Sequence, residues 1–182
     1  MTLATYSHVD ISQTPKLDLT DGQKAAATTL TLWANGAIPG VYLYGPPGRG
    51  KTHLAMRAGY VMEEAGLEVL FLRVKDFLDE LRGTDDGSAF NDRSPSAVRE
   101  RAMFAPVLIM DDLGLARDTE FATEELTSLF KFRYDNRGDL STLVTGNLRG
   151  SEIAGRYGAV LGSNIRGLCK SAGVSGRDLR HA

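Results

Sequence analysis

Eight consecutive residues, Gly45-Pro46-Pro47-Gly48-Arg49-Gly50-Lys51-Thr52, place glycines, a lysine and a hydroxyl at a spacing suited to holding phosphate. They satisfy the pattern G-x-x-x-x-G-K-[ST] in full. Glycines let successive backbone N–H groups turn inward around phosphate oxygens, and a helix starting at the lysine points its positive end at the same anion. Lys51 would then reach the β- and γ-phosphates of ATP, and Thr52 would offer its hydroxyl to Mg2+. The same segment and the following His53 are therefore the candidate nucleotide contacts: Gly45, Pro46, Pro47, Gly48, Arg49, Gly50, Lys51, Thr52 and His53.

A bound metal needs a carboxylate nearby, and Val107-Leu108-Ile109-Met110-Asp111-Asp112 supplies two acids at the end of an apolar run. Asp111 is the candidate for the Mg2+ shell, through water, and Asp112 for orienting or deprotonating an attacking water. Alone, such a pair would also serve as a helix cap or a turn. Asn147, after Thr142-Leu143-Val144-Thr145-Gly146, could place that water against the γ-phosphate; as part of Gly-Asn it equally suits a turn.

The elements that must position these groups alternate. A helix is expected over 21–34, where Ala26, Leu30 and Trp33 share a face, with Gly36 and Pro39 ending it. A short apolar strand at 41–44 feeds the phosphate loop, and a helix over 51–65 leaves it. A strand at 69–72 and a helix at 74–81 follow, then a polar loop over 83–95 and a short helix at 96–103. The apolar strand at 107–110, a helix at 120–133 and a strand at 140–145 complete the pattern. The tail from 151 to 182 reads as one or two short helices. Strands alternating with helices imply an α/β domain, a parallel sheet sandwiched between helices. The division expected is an N-terminal arm at 1–20 and one domain over 21–182.

Composition narrows the class. In 182 residues, 42% hydrophobic and 24% charged, there is enough apolar content for a genuine core. A net charge of −2 does not mark a strongly basic nucleic-acid binder. Cys169 is the only cysteine, which excludes an intrachain disulfide and suits the reducing cytoplasm. Neither a secretory signal nor a run of about 18 apolar residues is present, so no membrane association is expected.

Together these segments resemble the AAA+ ATPases of the bacterial replicative helicase-loader type and their relatives that assist insertion-sequence transposases. The resemblance runs from about Gln23 to Arg180. Its pieces are Tyr44 to Ala55 around the phosphate loop, Leu108-Ile109-Met110-Asp111-Asp112-Leu113-Gly114, Arg133-Tyr134, and Thr145-Gly146-Asn147-Leu148. It implies a P-loop AAA+ core without the C-terminal helical lid, Asp112 as the catalytic acid and Asn147 as the sensor of the γ-phosphate. The implied activity is ATP hydrolysis in DNA replication, with single-stranded DNA and a replicative helicase as partners and nucleotide-dependent assembly into a homo-oligomer.

The family usually shows a Ser-Arg pair whose arginine reaches the nucleotide of the adjacent subunit. Here Ser163 is followed by Asn164, which is too short and uncharged for that task. Arg166 is two residues on, about 200° around a helix, so it does not simply substitute; Arg166 and Arg156 remain the candidate trans arginines. Candidate DNA contacts are Lys75, Arg82, Arg93, Arg99 and Arg101, with Phe90 able to stack on a base. The neighbouring acids Asp76, Asp79, Glu80, Asp85, Asp86, Asp92 and Glu100 leave that region without net positive charge. Other readings of the same core are a transposition helper, a nucleotide-gated module with little turnover, and a small-molecule P-loop kinase.

Overall fold

The computed structural model describes residues 19–83, 94–115, 117–176 and 178. Strands β1 (Gly40–Tyr44), β2 (Val69–Arg73), β3 (Val107–Leu113), β4 (Ser141–Gly146) and β5 (Lys170–Gly173) form one sheet in the order β2-β3-β4-β1-β5. Every pairing is parallel. The helices are α1 (Asp21–Ala34), α2 (Lys51–Glu64), α3 (Val74–Leu81), α4 (Pro95–Phe104), α5 (Glu120–Asp135), α6 (Gly150–Tyr157) and α7 (Ala159–Leu168).

Side chains of successive strand residues point to opposite faces, and here both faces are covered. Val41, Leu43, Val107, Ile109 and Leu143 pack under α1 and α2, against Leu30, Trp33, Leu54 and Met62. Tyr42, Leu108, Met110 and Val144 face the other way, into a core built by α3 to α7. This two-sided burial explains why β1 and the first part of β3 read as unbroken apolar runs. Each fully buried Leu, Ile or Phe contributes about 1.5–3 kcal/mol. α2 lies close on the sheet because Gly59 has no side chain: a Cβ there would sit 2.8 Å from the Ile109 Cδ1.

Local signals set the helix ends. The Gln23 side chain accepts the Thr20 N–H at 3.0 Å in front of α1. Ser94 caps α4 by accepting from the Ala97 N–H at 3.2 Å, with Pro95 in the first turn. Thr119 caps α5 in the same way, accepting from Ala122 at 3.2 Å.

Arg133 is fully buried on α5 and acts as a tie rod. Its Nη1 donates to the carbonyls of Ala102, Met103 and Ala105, its Nη2 to that of Ser141 at 2.6 Å, and its Nε to the Thr142 hydroxyl at 2.8 Å. Burial lowers the guanidinium pKa, while the carbonyl ring favours the charged form. Nearby Cys169 is buried, and desolvation pushes its thiol up to about 12.

The tail reads as one or two short helices, and α6 and α7 are two; beyond them, where the sequence gives no strand, the chain returns to the sheet as β5, beside β1. Lys170-Ser171-Ala172-Gly173 has no β-branched or aromatic residue, so its pairing is dictated by β1 rather than by its own propensity. Among the described residues no helical lid follows β5. Residues 1–18 of the expected arm at 1–20, the candidates Phe90 and Arg93, and the acids Asp85, Asp86 and Asp92 lie outside the described residues.

Candidate nucleotide site

β1 ends at Tyr44 and α2 begins at Lys51, so the phosphate loop spans the C-terminal edge of the sheet. Gly50 takes a left-handed conformation (φ 83°) as the residue before α2, which turns the chain out of the loop and into the helix at Lys51. Lys51 is 5% exposed and folds back across the loop, its Nζ donating to the carbonyls of Gly45 at 2.8 Å and Pro46 at 2.9 Å. From outside the loop, the Gln23 Nε2 donates to the Arg49 carbonyl at 2.9 Å.

Asp111 arrives on β3, 1% exposed, directly behind Thr52. The Thr52 hydroxyl lies 3.0 and 3.1 Å from its two carboxylate oxygens. The Thr145 hydroxyl on β4 donates to Oδ1 at 2.6 Å. Past Met110 the register slips: Met110 pairs with Val144 and Leu113 with Gly146, so Asp111 and Asp112 together face Thr145. This β-bulge bends the strand where a side chain must be re-aimed. Asp112 takes φ 64°, the one left-handed non-glycine conformation among the described residues, and its N–H donates to the Thr145 hydroxyl at 3.0 Å. Asp tolerates this conformation better than most residues, but it still costs free energy.

Asn147 follows the end of β4. The buried Tyr42 fixes that segment by donating from its hydroxyl to the Leu148 carbonyl at 2.5 Å, and burial raises the Tyr42 pKa well above the usual phenol range.

These elements enclose a cleft of about 800 Å3. Pro47, Gly48, Gly50, Lys51, Thr52 and His53 line it from the loop and α2, with Asp112 and Asn147 on the opposite side. Met56 and Leu115, 57% and 62% exposed, give it an apolar rim. Gly45, Pro46 and Arg49 do not line the cleft; their carbonyls hold Lys51 and Gln23 instead. Arg166 is exposed on α7 and is not among the lining residues, so it does not join this cluster within one chain. Arg156 is exposed on α6, its guanidinium 5.5 Å from the Tyr157 ring centre.

The residues suit Mg2+ held jointly with a nucleotide. Among the described residues no group of three or more His, Cys, Asp or Glu side chains could hold a metal by itself. One hydroxyl and one carboxylate, Thr52 and Asp111, meet side by side, and Mg2+ commonly takes only one or two protein ligands, with phosphate and water completing the shell.

The sequence gives Thr145 and Gln23 no role of their own, although Thr145 falls in the Thr145-Gly146-Asn147-Leu148 segment that carries the resemblance. A signal existed for Gln23, because Thr20-x-x-Gln23 has the spacing of a capping box. The candidate DNA contacts that can be placed are largely paired with acids. Lys75 and Arg82 both bond Asp79, at 2.5 and 3.2 Å, and Arg99 forms a two-pronged pair with Glu125 at 2.7 and 3.0 Å. No helix among the described residues is long and apolar enough to cross a membrane.

Comparison with known proteins gives the family context. Residues 3–163 match the family described as IstB-like ATP binding protein. The chain is 34% identical over 107 residues to an insertion sequence ATP-binding protein of Sinorhizobium fredii, covering 59% of this chain and 33% of that protein. It is 24% identical over 161 residues to the ATP-binding protein of an insertion sequence from Geobacillus stearothermophilus, covering 88% and 58%. It thus spans less than two thirds of either relative. Among solved structures, the fold matches the DnaC helicase loader with a TM-score of 0.73 at 24% identity, over 96% of each chain. It also matches AMPPCP-bound DnaA from Aquifex aeolicus with a TM-score of 0.71 at 17% identity, over 90% of this chain and 50% of that one.

Proposed function

The chain belongs to the IstB-like ATP-binding family, an AAA+ P-loop group, and from that footing we propose that it hydrolyses ATP with Mg2+ and uses the cycle to deliver a partner protein to DNA. The observation that carries the hydrolysis reading is the convergence of Lys51, Thr52, Asp112 and Asn147 on one cleft, with Asp111 hydrogen-bonded behind Thr52. A pocket built only to hold nucleotide needs no acid and amide opposite the phosphate loop.

When bound, Mg2+ would supply positive charge to offset the negative charge on the transferred phosphoryl group. Thr52 and Asp111 would hold it. The loop amides and Lys51 would orient the triphosphate, Lys51 exchanging its two carbonyl partners for phosphate oxygens. Asp112 would align a water and take its proton as the water oxygen bonds to the γ-phosphorus. The bond to the bridging oxygen breaks, and ADP leaves with that electron pair. Asn147 would donate to a γ-phosphate oxygen or to the water, tying turnover to the position of β4.

The insertion-sequence names of the sequence relatives support a transposase as the partner, ahead of the replicative helicase that the resemblance alone puts first. The fold shared with a helicase loader supports the helicase as second reading. The exposed rim of Met56 and Leu115 suits coverage of the bound nucleotide by a second copy, in a nucleotide-dependent homo-oligomer. Residues 21–182 would form the ATPase domain, 1–20 an arm, and the cytoplasm the compartment. Asn164 in place of the family's arginine favours slow turnover, a switch whose bound state matters more than its rate.

Phosphate release from ATP, measured with and without single-stranded and duplex DNA, tests this reading. DNA-stimulated turnover that Lys51→Ala abolishes is expected. Transfer of phosphate to a metabolite instead of water, or no ATP binding at all, would overturn it.

A further inference from the structure

We propose that Thr145 is a positioning residue for ATP hydrolysis, its single hydroxyl setting both acids of the site at once; this rests on the hydrolytic reading above. A threonine hydroxyl has one proton to give and lone pairs to receive. The proton goes to the Asp111 Oδ1 at 2.6 Å, so the lone pairs receive the Asp112 N–H at 3.0 Å. One buried atom therefore fixes the rotamer of the carboxylate behind Thr52 and also pins the backbone of its left-handed neighbour.

The bulge explains why this needs a side chain. In a regular parallel ladder a backbone carbonyl would receive a strand N–H. Two residues of β3 face Thr145 here, so the regular ladder is interrupted at Asp112, and the Thr145 hydroxyl receives its amide. Without it, the part-buried amide would lose this hydrogen bond, and the left-handed turn that aims Asp112 into the cleft would lose its tether. Asp111 would keep Thr52 as a donor but lose the bond that fixes its Oδ1. Thr145 itself does not line the cleft, so its effect must pass through the two acids.

The test compares Thr145→Val, which keeps the shape and removes the hydroxyl, with Thr145→Ser, which restores it. For Thr145→Val, kcat should fall about 10–100-fold while ATP affinity in EDTA stays within about 3-fold of wild type. The gain in ATP affinity on adding Mg2+ should shrink. Thr145→Ser should recover most of both. Should Thr145→Val not fold, Thr145→Ala is read the same way. Wild-type turnover by Thr145→Val, a Ser variant as impaired as Val, or a loss confined to affinity in EDTA would overturn the proposal. A wild-type chain that binds ATP without turnover overturns the hydrolytic reading alone; Thr145 is then judged by the Mg2+-dependent gain, which must still shrink in Val and return in Ser.

Discussion

Gln23 reaches from the first turn of α1 and donates a 2.9 Å hydrogen bond from its Nε2 to the carbonyl of Arg49 in the phosphate loop. The same side chain, 5% exposed, accepts the Thr20 N–H through its Oε1. One amide thus ties the start of the domain to the loop that receives the nucleotide. Gln23→Met, close in volume but without polar ends, should lower stability by about 1–2 kcal/mol, because the Thr20 and Arg49 groups lose their partner. It should also weaken ATP binding by about 3–10-fold, since a loop free to sample other shapes must be ordered on binding. Thermal unfolding and nucleotide titration check the two effects separately.

Asp112 combines its proposed role as catalytic base with an unusual backbone, and the two are separable. Asparagine also tolerates a positive φ, so Asp112→Asn should fold with stability within about 1 kcal/mol of wild type and bind ATP normally. Its turnover should fall by about 10²-fold or more, because the amide cannot take the proton of water. A β-branched residue strains the same turn, so Asp112→Val should in addition cost about 1–3 kcal/mol of stability. Paired unfolding and single-turnover measurements distinguish the base from the bend.

How much of this could be read from the sequence depends on how local each signal is. The strand, phosphate loop and helix from Gly40 to Glu64 announce themselves through glycine spacing and an apolar run, and α3 occupies the residues its periodicity predicts. β5 has no such signal, because four small or charged residues become a strand only through register with β1. The bulge at Asp111 and Asp112 is equally silent: it comes from the pairing of β3 with β4, segments some thirty residues apart. Arg133 carries part of the resemblance, and its burial is legible too, since it continues the stripe of Leu126, Leu129 and Phe130 at helical spacing.

That arginine carries a large stability prediction. Five hydrogen bonds from its three nitrogens end on four main-chain carbonyls and one hydroxyl around the start of β4 and the end of α4. Arg133→Met fills similar space and leaves those buried acceptors unpaired, which should cost about 3–5 kcal/mol. Arg133→Lys should lose nearly as much, because an ammonium cannot spread its donors in the planar fork that reaches both elements. Denaturant midpoints for the two variants check this, and a Lys variant as stable as wild type would refute the fork argument.

Asn164 sits on α7 with its buried Nδ2 making no hydrogen bond among the described residues, at the position where the resemblance expects an arginine. Replacing it with arginine removes an unsatisfied amide and offers a guanidinium long enough to reach beyond its own helix. If that side chain serves the nucleotide of an adjacent copy, Asn164→Arg should raise turnover about 10-fold or more, in line with the effect of arginine fingers elsewhere. The gain must vanish on dilution, because a group acting in trans needs a neighbour. A chain carrying both Lys51→Ala and Asn164→Arg should be inactive alone yet accelerate wild-type chains when mixed with them. A gain unchanged by dilution, and absent from the mixture, would mean the arginine acts within its own chain. With no gain at any concentration, Ala variants of Arg156 and Arg166 decide whether either already serves; if both leave turnover unchanged, the proposed hydrolysis runs without a trans arginine.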